Sequence, residues 1–211
     1  LGSGTIELSK IVYGALPMTD GEIIINGEKK DCSSPRKALK AGIGFVSDDR
    51  KQEGLVLIRN IRENISMSSL DKISNGLYLN KAKETENINA EVKRLNIKIS
   101  SPAQLAGKLS GGNQQKAIVA REIDKEHELL IAVQPTRGLD VGAIEYIHKR
   151  IVADRDAGRA VLLVSLELDE VMDVSDRILV IHGGEIVGEL DPKKVSVEEL
   201  GLYMSGAKRN M

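Results

Sequence analysis

The second half of the chain alternates apolar runs with amphipathic helical patterns, and this alternation constrains the fold more than any other feature. Three apolar runs read as strands: 129–133, 160–165 and 178–182. Between the first two lies a helical pattern that Asp140 would cap and Gly158 would end. Continuous apolar runs are typical of parallel strands covered on both faces. The sequence therefore predicts an α/β fold, a mostly parallel sheet flanked by helices, with ligands at the carboxyl ends of its strands, where Gln134 falls.

The first half of the chain adds shorter elements and then changes character. Four of these elements are predicted before residue 50: a helix over 7–13, a strand over 21–27 that enters an Asn-Gly turn, a helix that starts at Ser34-Pro35, and a strand over 43–46. Residues 55–107 favour helices over 63–70 and 81–95, with a short strand at 97–99 as the one exception. We interpret residues 1–211 as one domain in which a helical subdomain, approximately 55–118, is inserted into the α/β core.

Composition excludes several classes of partner. The net charge of −1 provides no global field to hold nucleic acid, and an aromatic content of 2% argues against base-stacking platforms. Cys32 is the single cysteine, so no internal disulfide can form. No apolar run approaches the roughly 20 residues of a transmembrane helix. The chain opens on a glycine-rich turn without a strand before it, and we expect it to be a part of a longer polypeptide.

The segment 109–115, Leu-Ser-Gly-Gly-Asn-Gln-Gln, has the chemistry of a phosphate-reading loop. Two glycines after Ser110 allow backbone N–H groups to approach an anion closely. The helix expected behind them adds a positive dipole end directed at that anion. The segment is therefore the first candidate for contact with a nucleotide.

Three segments together carry a resemblance to a known family. The segment 109–115 resembles the signature loop of ABC-type ATPases. Pro-Thr-Arg-Gly-Leu-Asp-Val-Gly at 135–142 follows an apolar strand as that family's D-loop does, and 47–56 is similar to a segment of sugar- and nucleoside-importing members. The resemblance covers nearly the whole chain.

The resemblance implies an assembly as well as a cofactor. Importers of this type carry two nucleotide-binding domains in one polypeptide, and the chain looks like the second, C-terminal one, truncated at its N-terminus. ATP would be the cofactor. The partners would be the other nucleotide-binding domain and transmembrane permease subunits, with no nucleic acid. The chain would lie at the cytoplasmic face of the cell membrane as a peripheral protein.

The family's phosphate-loop pattern is poorly matched at the start of the chain. Gly4 takes the second glycine of Gly-x-x-x-x-Gly-Lys-Ser/Thr, so Thr5 stands at the lysine position and Ile6 at the Ser/Thr position. Thr5 supplies no positive charge for the β- and γ-phosphates, and Ile6 has no hydroxyl for Mg²⁺. Two interpretations stay open for Gly2, Ser3 and Gly4: a tight turn alone, or weak nucleotide binding through backbone amides.

Three further family positions have lost their usual side chains. Val133 and Gln134 stand where an Asp-Glu pair would end the Walker B strand, so neither an Mg²⁺-holding carboxylate nor a general base is expected. Leu166 falls at the switch-histidine position, and Asp48 near the Q-loop glutamine. The sequence therefore predicts no confident catalytic residue, a doubtful Mg²⁺ site and little or no hydrolysis by this domain alone.

The signature loop, unlike these positions, keeps the residues of the family motif. In this family each ATP lies between the phosphate loop of one domain and the signature loop of the other. Ser110, Gly111 and Gly112 are thus predicted to complete the partner domain's site. Gln114 belongs to the same motif. Gln114 and the neighbouring glutamine, 115, are expected to be solvated on the helix surface.

Three other groups of polar residues have weaker assignments. Arg137 and Asp140 would couple the two nucleotide sites, or Asp140 would only cap its helix, and both roles are compatible. The turn at 48–51 is expected to couple to a membrane partner. His127, His148 and His182 have no metal-ligand spacing, which favours surface or structural roles.

Two rival functions remain beside the degenerate importer domain. In the first, the domain is an active ATPase in which Asp48 or Glu167 replaces the missing carboxylates. In the second, the chain is a non-transport ABC-type ATPase, as in DNA repair or translation. The lack of long coiled-coil patterns and of a basic surface argues against the second.

Overall fold

The fold is described from a computed structural model that covers residues 3–75, 78–123 and 125–209; the predicted site residue Gly2 lies outside them. The helices are α1 Thr5–Val12, α2 Pro35–Lys40, α3 Ile61–Ser66, α4 Leu70–Ile73, α5 Lys81–Arg94, α6 Gly111–Glu122, α7 Val141–Asp156, α8 Leu168–Val174 and α9 Val197–Met204. The strands are β1 Ile23–Ile25, β2 Glu28–Lys30, β3 Ile43–Val46, β4 Ser74–Asn75, β5 Tyr78–Leu79, β6 Leu129–Val133, β7 Ala160–Val164, β8 Ile178–His182 and β9 Glu185–Leu190. A wide helical turn, Arg50–Gly54, is named the 50–54 turn below.

A parallel sheet of three strands in the order β3-β6-β7 forms the centre of the fold. Val46 pairs with Ala132, and Val133 pairs with Val164, so the carboxyl ends of all three strands meet at one edge. Helix α7 makes the crossover from β6 to β7, as expected for a βαβ unit. The predicted α/β class is confirmed, and the sheet edge brings the segments after residues 46, 133 and 164 together.

The strand β6 separates two cores, because successive side chains of a strand point to opposite faces. Leu130 and Ala132 face a large apolar cluster built with α3, α5, α6 and α7. Ile131 and Val133 face a second cluster, which includes α2 and the inner side of α1. The sheet is therefore covered on both faces at its central strand.

The predictions for β7 and β8 are wrong in part. Residues 160–164 of β7, one of the two edge strands of the described sheet, are exposed or half-buried instead of fully buried. β8 does not extend the parallel sheet but pairs antiparallel with β9. Gly183 and Gly184, with φ of 59° and 84°, form the tight turn between them. Two consecutive left-handed residues match the twist of a hairpin, so local pairing outcompetes a crossover here.

The N-terminal predictions are confirmed. The turn at Asn26 and Gly27 has φ of 53° and 78°, as a type I′ hairpin turn requires. Proline occupies the first turn of α2, although Ser34 makes no side-chain capping bond there. At the other end of the chain, the Ser196 hydroxyl caps α9 by accepting from the N–H of Glu199 at 3.2 Å.

Between the sheet strands β3 and β6 the chain is mainly helical, with differences from the prediction. The helix expected over 63–70 divides into α3 and α4, and Asn60 caps α3 through a reciprocal capping box with Glu63. A short hairpin, β4–β5, replaces part of the expected loop. Residues 97–99 form no strand. The β4–β5 hairpin consists of two-residue strands, which are too short to leave a period-2 pattern in the sequence.

In the ranges 3–75, 78–123 and 125–209, none of the helices has the length and apolar character that a transmembrane span requires.

Truncating a core residue of α6 tests the large cluster. Ile118 is fully buried between α6 and the 50–54 turn, so we expect Ile118→Ala to lower the free energy of unfolding by about 2–5 kcal/mol, measured by urea denaturation. Ile58 is 83% exposed, and Ile58→Ala should change stability by less than about 0.5 kcal/mol. Equal losses in the two variants would contradict the packing described.

Candidate functional site

The first turn of α6 is the most exposed part of a helix that is otherwise buried. Ser110 has an extended backbone and Gly111 is exposed, whereas the side chains from 114 to 120 are buried. The first N–H groups of a helix have no acceptor within it, and among the described residues no side chain caps this end. Asn113 donates to the Ser110 hydroxyl at 2.9 Å and accepts from the Lys98 N–H at 2.8 Å. The loop therefore presents free backbone donors on a braced support.

A close contact between two backbones fixes the position of this loop. A Cβ atom added at Gly112 would lie 2.7 Å from the carbonyl oxygen of Gly138. Because the opposing atom belongs to the backbone and cannot rotate away, only glycine fits at this position. Gly138 itself has a left-handed φ of 72°. The segment after β6 and the start of α6 thus form one structural unit.

The two glutamines after the signature glycines hold neighbouring loops, and the prediction that they are solvated is wrong. Gln115 is 1% exposed and donates to the carbonyl oxygens of Gln134 at 3.4 Å and Pro135 at 3.2 Å. Gln114 is also buried and donates to Ala106 at 3.2 Å. Loop carbonyls that are buried beside a helix need donors, and a glutamine amide supplies them. The periodicity of α6 alone does not reveal those loops.

A buried lysine joins α6 to α7. Lys116 is 3% exposed; its ammonium forms an ion pair with Asp140 and donates to the Asn96 carbonyl at 3.2 Å. Asp140 also accepts from the Ala143 N–H at 3.1 Å, so its predicted role as a helix cap is confirmed. The hydrogen bond from Lys116, and then that from Ala143, lowers the pKa of Asp140 below the ordinary carboxyl value. Asp140 is therefore held ionised at the start of α7.

The end of β6 has an unusual backbone and no carboxylate. Gln134 has a left-handed φ of 49°, which is uncommon for a residue with a side chain, and its N–H donates to Val164 at 2.8 Å. Val133 is buried in the second core cluster. Its side chain is thus part of the apolar packing, in the place where the family pattern has a metal-holding aspartate.

The segment after β3 is a network of short polar bonds. Asp49 accepts from the N–H groups of residues 51 and 52 and so begins the 50–54 turn. Ser47 donates to Glu53 at 2.7 Å, and Lys10 of α1 donates to the same carboxylate at 2.5 Å. Burial favours a raised pKa for Glu53, but the bonds from Lys10 and Ser47 outweigh it and lower the pKa. Asp48 lies half-buried within this segment.

The start of the described chain forms a turn against the β8–β9 hairpin. Gly4 has a φ of 99° and precedes α1, and the Ser3 carbonyl accepts from the Gly184 N–H at 2.9 Å. The hydroxyls of Ser3 and Thr5 lie 3.3 Å apart. Ile6 packs against the second core cluster. Of the predicted phosphate-loop positions that are described, one therefore contributes its side chain to the core and none carries a positive charge.

The remaining predicted positions lie on separate elements. Leu166 follows β7 and is 63% exposed, next to Ser165, whose hydroxyl accepts from the Glu167 N–H at 3.0 Å. In the parts of the chain that the structure describes, no three His, Cys, Asp or Glu side chains converge as a metal site. His127 faces Asp154 at 3.2 Å and His148 faces Glu170 at 3.0 Å. These two histidines have the structural role that their spacing predicts.

The structure brings some predicted residues together and adds others. Ser110, Gly111, Gly112 and Asp140 belong to one region at the start of α6, and Gln134 is joined to it through Gln115. Thr5 instead begins α1, directly after the turn that contacts the β8–β9 hairpin. Sequence reasoning missed the contacts of Arg50 and Lys116 with this region. For Lys116, the sequence offers one indication of burial: this charged residue directly precedes the apolar residues 117–120 within a helix.

The fold alone resembles that of a known class of protein. The chain superposes on a dimeric bacterial ABC transporter cassette, MJ0796, with a TM-score of 0.76 at 22% identity, over 92% of this chain and 83% of that one. A second structure of that cassette, in a post-hydrolysis state bound to ADP and Pi, gives 0.74 at 21% identity, over 92% and 82%. At such identity the likeness shows the fold, which is that of an ATP-binding cassette.

Sequence comparison then assigns the family. Residues 2–137 match the sequence model of the ABC transporter family. The chain is 43% identical to the nucleoside import ATP-binding protein NupA of Lactococcus lactis subsp. cremoris, over 99% of this chain and 42% of that protein. It is 44% identical to the guanosine import ATP-binding protein NupO of Bacillus subtilis (98% and 41%) and 40% identical to the ribose import ATP-binding protein RbsA of Clostridium tetani (96% and 40%). The chain belongs to the ABC transporter family and spans about two fifths of the length of these relatives, which confirms the resemblance.

The ion pair between α6 and α7 gives a testable prediction. Asp140→Asn keeps an oxygen that caps α7 but removes the charge that faces buried Lys116. Lys116 is buried but the Asp140 side chain is 58% exposed, so solvent screens the pair, and we expect a loss of about 1–2 kcal/mol at neutral pH by urea unfolding. Because the folded-state pKa of Asp140 is lowered, its contribution is complete above about pH 4 and is lost as the pH falls through that lower pKa. The difference between the two proteins should therefore shrink in acid.

An exposed ion pair serves as the control for this prediction. Asp176 pairs with Arg155 at 2.9 Å on the surface, and Asp176→Asn should cost less than about 1 kcal/mol. If both substitutions cost the same, the pair between α6 and α7 has no special role.

Proposed function

We propose that the chain is the C-terminal nucleotide-binding domain of a tandem ATPase that energises import of a nucleoside or sugar. Three relatives at 40% identity or above are named as import ATP-binding proteins, and the chain spans 42%, 41% and 40% of their lengths. A polypeptide of that length has room for a second domain of this size. The partners in this proposal are the other nucleotide-binding domain and permease subunits, at the cytoplasmic face of the membrane. In this proposal residues 55–118 are a helical subdomain of the domain.

The domain's own ATP site is proposed to be incompetent for hydrolysis. Thr5 supplies no cation for the phosphates, and Gln134 cannot accept a proton from an attacking water. Ile6 and Val133 have no oxygen for Mg²⁺, and both pack in the second core cluster. Any nucleotide bound here would be held by backbone amides after Ser3 and not through a metal ion.

The observation that carries the proposal is the exposed, braced first turn of α6. Ser110, Gly111 and Gly112 leave backbone donors free, with the positive end of a 12-residue helix behind them. Such a group fits the phosphates of ATP. The cation, metal and base that these residues do not supply would come from the other domain, whose phosphate loop would hold the nucleotide together with Mg²⁺. The signature loop would thus complete a site whose chemistry lies on the partner.

The purified chain alone should hydrolyse no ATP above background in the presence of Mg²⁺. Calorimetric titration should show weak ATP binding or none, with the same affinity with and without Mg²⁺, because the side chains of Ile6 and Val133 offer no oxygen at the positions where the family holds the metal. Mg²⁺-dependent turnover that Gln134→Ala or Glu167→Ala abolishes would instead establish an active ATPase with unusual ligands.

A charge reversal at the signature loop tests its contact with nucleotide. Ser110→Glu places a carboxylate at the start of α6, where it favours the helix dipole, so folding should be retained while ATP phosphates are repelled. In the complete gene product, ATP turnover should fall on the order of 100-fold. Ser101→Glu, at an exposed position outside the loop, should leave turnover unchanged. Unchanged turnover in both variants would contradict the proposal.

A further inference from the structure

One side chain outside the signature loop binds its backbone directly. The Nη1 atom of Arg50 donates to the carbonyl oxygen of Gly111 at 2.7 Å, across 61 residues of sequence. A Cβ atom added at Gly111 would lie 3.0 Å from that nitrogen, so the two groups are in tight contact. The same guanidinium nitrogen lies 4.0 Å from the ideal Cβ position of Gly138. Arg50 therefore stands where the signature loop and the segment after β6 meet.

We infer that Arg50 is the positioning residue of the signature loop, and that it fixes the direction of the Gly112 N–H. The peptide bond between Gly111 and Gly112 is planar and trans, so its carbonyl and its N–H point in opposite directions. Holding the carbonyl toward Arg50 directs the N–H away from it. A cationic donor on the carbonyl also polarises the peptide group and strengthens that N–H as a donor. Both glycines lie in the first turn of α6, and glycine restrains the backbone least, so the bond from Arg50 adds to the hold that the helix itself exerts on this peptide plane.

The support under Arg50 is rigid enough for this role. The 50–54 turn is capped by Asp49 and tied to α1 by the ion pair between Glu53 and Lys10. Its last residue, Gly54, lies directly against Ile118 of α6, since an added Cβ would be 2.4 Å from the Ile118 Cδ1 atom. The turn and α6 therefore form one packed unit, and Arg50 extends from it to the helix start.

The opposite side of the loop is held by a separate bond. Asn113 accepts from the Lys98 N–H and donates to Ser110, which orients the side chains of the loop but not the peptide plane between the glycines. Arg50 is thus the one described side chain that contacts the carbonyl of that plane. In a site completed by this loop, which rests on the proposed function, a rotated plane would direct one phosphate donor away from the nucleotide.

A spectrum that reports on this single carbonyl tests the contact. When the chain is labelled with glycine carrying 13C at the carbonyl and 15N at the amide, correlations between carbonyl and following amide arise only from Gly-Gly pairs. The chain has two such pairs, 111–112 and 183–184, and the second serves as an internal reference. Arg50→Ala should move the 111–112 signal upfield in 13C and leave the 183–184 signal in place. Lys40→Ala, which removes the same charge from an exposed position on α2, should move neither.

Turnover separates positioning from mere packing. In the complete gene product, Arg50→Ala should lower kcat for ATP roughly tenfold or more with KM unchanged, because a misdirected donor affects the reaction more than binding. Arg50→Lys retains a cationic donor and should recover part of both the 13C shift and kcat. Lys40→Ala should retain full turnover, and thermal unfolding should be the same in all three variants.

The outcomes distinguish this inference from the proposed function. An unmoved 111–112 signal in Arg50→Ala overturns the inference whatever the turnover. A shifted 111–112 signal in Arg50→Ala with unchanged kcat also overturns the inference. In that case the proposed function stands if Ser110→Glu still lowers turnover strongly. If neither Arg50→Ala nor Ser110→Glu affects turnover although the signal moves, the proposed function fails and Arg50 positions a loop that serves no nucleotide.

Discussion

The contact between the first turn of α6 and the loop after β6 is the constraint on which the rest of the candidate site depends. Gly112 and the Gly138 carbonyl approach so closely that no side chain fits between them. Around this contact, Gln115 binds the loop carbonyls and Lys116 pairs with Asp140. The buried part of α6 anchors the helix in the large apolar cluster. The helix start can therefore be exposed and still be held in one position.

The signature loop and the candidate phosphate-loop positions of this chain differ in chemical character. The signature side keeps its backbone donors, a helix dipole and supporting polar contacts. On the phosphate-loop side, two positions that would hold metal in the family are apolar, Ile6 and Val133, and both contribute to the core between α1, α2 and the sheet. A residue that packs in a core stabilises the fold but offers no ligand atom. In the function that we propose, the chain keeps a surface for a partner's nucleotide and uses the other positions for packing.

Much of the fold could be predicted because its signals are local. The apolar run of β6, the Asn-Gly turn before β2 and the proline at the start of α2 each depend on neighbouring residues only. The errors concern long-range pairing. The apolar run of β8 predicts another buried parallel strand, yet β8 pairs with β9. The glutamines of α6 are predicted to be solvated, but loops from residues 106 and 134 cover them. Periodicity shows which face of an element is apolar, but not which distant loop lies over its polar positions.

The sequence by itself determined the family, because side-chain chemistry is read directly from residue identity. It also predicted the signature loop and the loss of cation, metal and base side chains at Thr5, Ile6, Val133 and Gln134. Only the tertiary structure decided how the signature loop is held. The bond from Arg50 to Gly111 and the pair between Lys116 and Asp140 join residues 61 and 24 positions apart. Such contacts arise when helices and loops pack on a common sheet, and no local pattern in the chain encodes the direction in which a peptide plane then points.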